Sequence, residues 1–212
     1  MRYIFLCFVV SVVVSCSNSR QKDPKKTEEK AVEYTPRLKS PEKPIIPKAD
    51  STFLGQIQFL KDDAISITLP DSTIIIAKQT SPTTRKYQIA KDSFLIFSTK
   101  NYAKGYKIFS NDNKALWAVK MNPKAIEITQ ENFDRNLFVI SIQEKELTVK
   151  HKNIELGKVV LQENKVIFNK KDKKIFEIDS EQLLPAYGIL LIEEIGIEER
   201  YALFAETLAR GY

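Results

Sequence analysis

The stretch YKIFSNDNKALWAVK, residues 106–120, decides the architecture. Two runs of aromatic, aliphatic and β-branched residues flank Asn111-Asp112-Asn113. Those side chains suit a pleated, half-buried surface, and Asn and Asp tolerate the left-handed backbone of a tight turn. The segment predicts a β-hairpin. The same order of strand, polar turn and strand returns in AIEITQENFDRNLFVIS (125–141), LTVKHKNIELGKVVLQ (147–162) and KVIFNKKDKKIFEID (165–179). The spacing is that of a meander, without the fixed signature of a true repeat.

Working outward, candidate strands fall at 54–60, 64–69, 73–77, 86–90, 94–98, 105–110, 115–121, 125–129, 137–143, 146–151, 154–162, 165–169 and 174–178. Asp62-Asp63, Pro70-Asp71-Ser72, Lys91-Asp92, Glu163-Asn164 and Lys171-Asp172 separate them. Such residues carry turn chemistry. No long helical pattern interrupts the strands, which excludes βαβ units and a parallel sheet. Leu147 and Val149 face one way, Thr148 and Lys150 the other. Leu137-Phe138-Val139-Ile140 is apolar on both faces and needs cover on two sides.

The period changes in the last thirty residues, and a helical segment is expected over 181–210. Ser180-Glu181-Gln182 offers a helix start, and residues 186–192 are apolar all round, as in a buried helix, a pattern that a short strand also fits. Gly196 breaks that run. Beyond it, Ile197, Tyr201, Phe204, Ala205 and Leu208 share a face at helical spacing, with Glu198, Glu199, Glu206 and Arg210 standing off it. Glu206 and Arg210 form an (i, i+4) pair. The expected fold is mainly β with a C-terminal helix: about twelve short antiparallel strands in a barrel around or against that helix. The alternative is a β-sandwich capped by helices.

The N-terminus reads as an address. Arg2 precedes an apolar run at 3–14 broken only by Ser11. As a helix that run would span roughly 18 Å, too short for a bilayer core, so residues 1–15 read as a signal peptide. Val13-Val14-Ser15-Cys16 resembles the lipobox of bacterial lipoproteins. The resemblance implies cleavage before Cys16 and acylation of that residue, giving the several acyl chains that stable anchoring requires. Val13 replaces the leucine usual in that family. Residues 17–50 hold five of the nine prolines and few large apolar side chains, and read as a disordered tether. Extended, it would reach on the order of 100 Å; as a coil, about 30 Å.

The chain of 212 residues carries a net charge of +6. The tether holds nine Lys/Arg against six Asp/Glu, whereas residues 51–212, read as one globular domain, hold 23 against 21. With its basicity in the tether, the chain gives no nucleic-acid signature on the folded part.

The strand count and the apolar PAYGILLIEEI resemble the tubby-like superfamily, which includes LURP-one-related proteins and phospholipid scramblases. In that family a closed barrel is threaded by one hydrophobic helix. The resemblance covers roughly residues 73–212 and implies lipid or membrane association, without a motif that assigns site residues.

Candidate chemistry is sparse. His151 is the single histidine and shares a face with Leu147 and Val149, so a structural role is expected. One His and two Cys cannot assemble the usual zinc set, and no nucleophile elbow or phosphate loop is present. Ser40-Pro41-Glu42-Lys43 matches an S-x-x-K pattern in the tether, where nothing would keep the lysine dry. Glu193-Glu194 and Glu198-Glu199 read as solvated charge, and Trp117, Phe94, Phe97, Phe109, Phe138 and Phe168 as core. Lys170, Lys171, Lys173 and Lys174 crowd one hairpin tip that could touch a headgroup or an acidic partner. The expectation is a non-catalytic protein of the bacterial cell envelope, anchored by lipid at the outer membrane and facing the periplasm. Its partners would be a lipid or another envelope protein, with no cofactor, metal or nucleic acid.

Overall fold

The computed structural model describes residues 55–130 and 133–212, with side chains except at 133–137. The signal segment, Cys16 and the tether lie outside these residues.

Thirteen strands follow in order: β1 (Gln56–Phe59), β2 (Ile65–Thr68), β3 (Ile74–Ser81), β4 (Thr84–Ile89), β5 (Leu95–Tyr102), β6 (Gly105–Ser110) and β7 (Ala115–Asn122), then β8 (Ala125–Gln130), β9 (Phe133–Ile142), β10 (Glu146–His151), β11 (Ile154–Gln162), β12 (Lys165–Lys170) and β13 (Lys173–Asp179). Each pairs antiparallel with the next, in one sheet ordered as the sequence is. Tight turns make this possible. Lys152 and Asn153 both take positive φ in the two-residue loop between His151 and Ile154, and Lys171 and Asp172 do so between Lys170 and Lys173. That is the twist-matched hairpin geometry.

One face of the sheet is buried. Its rows of paired side chains drift along the strands. Ile65, Ala77, Tyr87 and Phe97 are cross-strand neighbours; Thr99, Ile108 and Trp117 form the next row; Tyr106, Val119, Ile128 and Phe138 the one after. Each row runs off the strand ends and another begins two residues along. This stagger, with a bulge in six of the pairings, coils the sheet strongly. The coil does not close into a barrel: among the described residues no pairing joins β13 to β1.

The C-terminal segment fills the concave face. A 3-10 helix, Pro185–Leu191, lies against β9, β10 and β11. The α-helix α1 (Ile197–Ala209) is buried at every residue from Tyr201 to Leu208. Eight consecutive buried positions exceed two turns, so that part of α1 has no solvent side. Two glycines admit the 3-10 helix. A β-carbon on Gly188 would lie 2.7 Å from Ile140 Cγ2, and one on Gly157 would strike the Asn169 carbonyl oxygen beside Leu191. Among the described residues no helix is long and apolar enough to cross a membrane.

The structure corrects two expectations here. Residues 186–192 are not an α-helix. Pro185 opens a run that no side chain caps, and Gly188 in its middle is pressed against Ile140. The bonds that form are of the tighter kind, Tyr187 N–H to the Leu184 carbonyl (3.0 Å) and Ile192 N–H to that of Ile189 (3.1 Å). Ser180 starts no helix; its hydroxyl accepts from Gln182 N–H and donates to the Gln182 carbonyl in a local turn. Second, β3, β4 and β5 run up to four residues beyond the apolar stretches that announce them. Lys78, Gln79 and Thr80 are polar because this hairpin end projects past the core.

Gly188→Ala is expected to lower unfolding free energy by about 1–3 kcal/mol through overpacking against Ile140. Urea titration, with the slope unchanged, checks it.

Candidate functional site

The most heavily bonded side chain in the described residues is Glu206, on α1, with no exposed surface. Sequence periodicity placed it off the apolar face, and the structure overturns that. The helix has no polar side to offer, so the carboxylate must find partners on the sheet. Tyr87 Oη, from β4, donates at 2.6 Å to Glu206 Oε1. Arg85 Nη1, two residues earlier on the same face, donates at 2.9 Å, and Thr99 Oγ1 on β5 at 3.1 Å. Arg210 Nη1 takes the other oxygen, Oε2, in the expected (i, i+4) pair, and also the Glu206 carbonyl at 2.7 Å. Arg210 further donates to Asn101 Oδ1 and lies 4.3 Å over the ring of Tyr106. Tyr106 Oη donates to the Leu203 carbonyl at 2.8 Å and lies 2.8 Å from Thr207 Oγ1.

Burial pushes the Glu206 carboxyl up, but the charges of Arg210 and Arg85, with the Tyr87 and Arg210 hydrogen bonds, outweigh it and hold the group down at about 2. Burial, then the Glu206 charge, pushes the Tyr87 hydroxyl well above the ordinary tyrosine value. A general acid near neutral pH needs the opposite shift. This carboxylate stays ionised, accepts four side-chain donors and works as a clamp between helix and sheet.

Other sequence-predicted residues occupy separate places. His151 stacks on Phe138 at 4.5 Å, on the face of Leu147 and Val149 as expected. Glu193 ties Lys170 at 2.6 Å, and Glu199 accepts from Trp117 Nε1, so neither acid pair converges on a cleft. Phe97, Trp117, Phe138 and Phe168 are core, but Phe94 is 53% exposed at the start of β5, and Phe109 is half-buried on the outer face beneath Lys100. At the β12–β13 tip Lys170 sits directly opposite Lys173. Lys170 is held by Glu193 and Lys174 by Glu177 at 3.1 Å, while Lys171 and Lys173 are exposed. Among the described residues no cluster of three His, Cys, Asp or Glu side chains is placed to hold a metal.

Sequence reading missed Arg85 and the charge pattern around it. Arg85 lies in KQTSPTTR, 78–85, which reads as a loop. The chain signal for Glu206 was present: it is the one charged residue in YALFAETLA, 201–209. The charge pattern is larger. Residues 74–126, which span β3 to β7, hold ten Lys/Arg against two Asp/Glu, and no acidic residue lies within any of those five strands. The near-neutral balance of the domain averages this region against the acidic remainder.

Comparison with protein-family models, with curated proteins and with solved structures found no match.

Replacing Glu206 with Gln leaves two guanidinium groups facing each other without a counter-charge. The expected loss is about 3–5 kcal/mol. The folded-state value lies below the unfolded one, so the carboxylate stabilises the native state above about pH 4.5, and that contribution disappears as pH falls from 4.5 toward 2. Chemical unfolding across that range should show a steep acid loss in the parent and a flatter one in Glu206→Gln.

Proposed function

We propose that this is a non-catalytic, lipid-anchored protein of the bacterial cell envelope whose β domain is a binding module acting at the membrane. The observation that carries the reading is Cys16, placed where the apolar run ends and preceded by Val13-Val14-Ser15. Acylation there, a proline-rich tether and a domain whose fully buried carboxylate, Glu206, is spent on holding its own core fit together. The outer membrane, facing the periplasm, is the proposed location. For the fine architecture we favour the tubby-like arrangement, as an open wrap around the C-terminal segment, over a capped sandwich. Burial of α1 from Tyr201 to Leu208 on all sides and the steady drift of register support it.

A fatty-acid analogue fed to cells should label the parent and not Cys16→Ser, and only the parent should sediment with membranes. Equal labelling, or a parent found in the soluble fraction, rejects the anchor.

The sheet edge favours a second reading, docking of another envelope protein by strand addition. β13 has no outer neighbour among the described residues and presents Ile175 at 45% exposure. Deleting residues 197–212 cannot test this, because it removes the core helix. A photo-crosslinker at Ile175 should instead capture one dominant protein; a diffuse smear rejects it.

A further inference from the structure

The outer face of β3 to β7 carries Lys78, Lys86, Lys100, Lys107 and Lys120, alternating with side chains that point into the core. The register makes them one stripe. Lys78 sits directly opposite Lys86, and Lys100 directly opposite Lys107. Lys86 and Lys100 are diagonal neighbours, since Lys86 opposes Ser98 and Thr84 opposes Lys100. Lys120 opposes Gly105, two residues from Lys107. Like charges directly opposed across strands destabilise a sheet. The fold accepts two such pairs, and at the border Glu127 approaches Lys120 at 3.7 Å. Four of the five lysines are exposed and Lys107 is half-buried. The ring of Phe109 lies within the stripe, 5.1 Å from the Lys100 ammonium, and the exposed Phe94 precedes β5.

We infer that this stripe is a docking surface for an anionic lipid bilayer. The inference rests on the membrane-proximal reading above and names the surface and the chemistry it meets. A row of lysines is a set of flexible point charges without the planar fork that specifies a bidentate acidic partner. It is carried on the outer side of a coiled sheet, with aromatic rings beside it, and so suits a delocalised layer of headgroups. The tether would hold the domain within about 30 Å of the bilayer as a coil, which makes the encounter effectively intramolecular.

The test uses the form expected after processing, residue 16 onward with Cys16→Ser, so that no acyl chain contributes. It is mixed with vesicles of phosphatidylcholine alone or with phosphatidylglycerol added. The parent should bind the anionic vesicles and release them as salt rises. A variant with Lys78→Gln, Lys86→Gln, Lys100→Gln and Lys107→Gln should bind on the order of a few hundred-fold more weakly, at about 5-fold per lysine. Lys78→Gln with Lys86→Gln alone should leave the thermal midpoint equal to or above the parent's, because a directly opposed lysine pair is gone. A control with Lys150→Gln, Lys152→Gln, Lys171→Gln and Lys173→Gln removes the same charge elsewhere and should bind nearly as the parent does. If the stripe variant binds like the parent while the control loses binding, the stripe is overturned and the membrane reading stands. If the parent ignores both vesicles, both fail. Equal affinity for double-stranded DNA at the same ionic strength would overturn the bilayer assignment.

Discussion

A helix with no solvent side from Tyr201 to Leu208 cannot leave its charge in water, and the structure turns on how that charge is met. α1 brings one carboxylate, Glu206, into a volume otherwise filled by Leu203, Ala205, Phe204 and the inner rows of the sheet. A lone buried carboxylate would be very costly. Here Arg85, Tyr87 and Thr99 come from two adjacent strands and Arg210 from the next turn of the helix. The cluster fixes the rotation and depth of α1. A purely apolar helix in a coiled apolar sheet could settle in several rotations of similar energy; this one has a single orientation that pairs its charge. The same orientation places Tyr106 beneath the Leu203 carbonyl, Trp117 against Glu199 and Tyr201 Oη 2.7 Å from Gly55 N.

Much of the sheet is legible in the chain because its rules are local. Turn residues such as Asn111-Asp112-Asn113 and Lys152-Asn153 and short alternating runs set hairpins one after another, and a meander needs little else. Strands 105–110, 146–151 and 154–162 begin and end where their apolar and turn residues say they should. Legibility fails where long-range packing decides. The β3–β4 hairpin end is polar, so 78–85 resembles a loop, although the backbone ladder continues to the Ser81–Thr84 pair. Residues 186–192 read as an α-helix, although the close approach at Gly188 and Gly157 favours a tighter turn. Glu206 breaks an apolar face only if the helix has a second, wet face; that sheet and 3-10 helix together cover Tyr201 to Leu208 cannot be seen in a helical wheel.

The electrostatic pattern was hidden for a different reason. A net charge is a sum, and a strongly basic run of five strands cancels against acidic residues further on. Alternation separates the two roles within each strand. In β4, Arg85 and Tyr87 face inward to the clamp while Lys86, between them, faces out. One tripeptide thus serves the core on one side and the surface on the other.

The order of the elements along the chain has a further consequence. The segment that occupies the concave face comes after all thirteen strands, so hairpins can form in sequence as the chain emerges while their apolar face stays unfilled until the last elements arrive. A chain interrupted before α1 has a sheet and nothing to close on, and it would be an exposed, sticky intermediate.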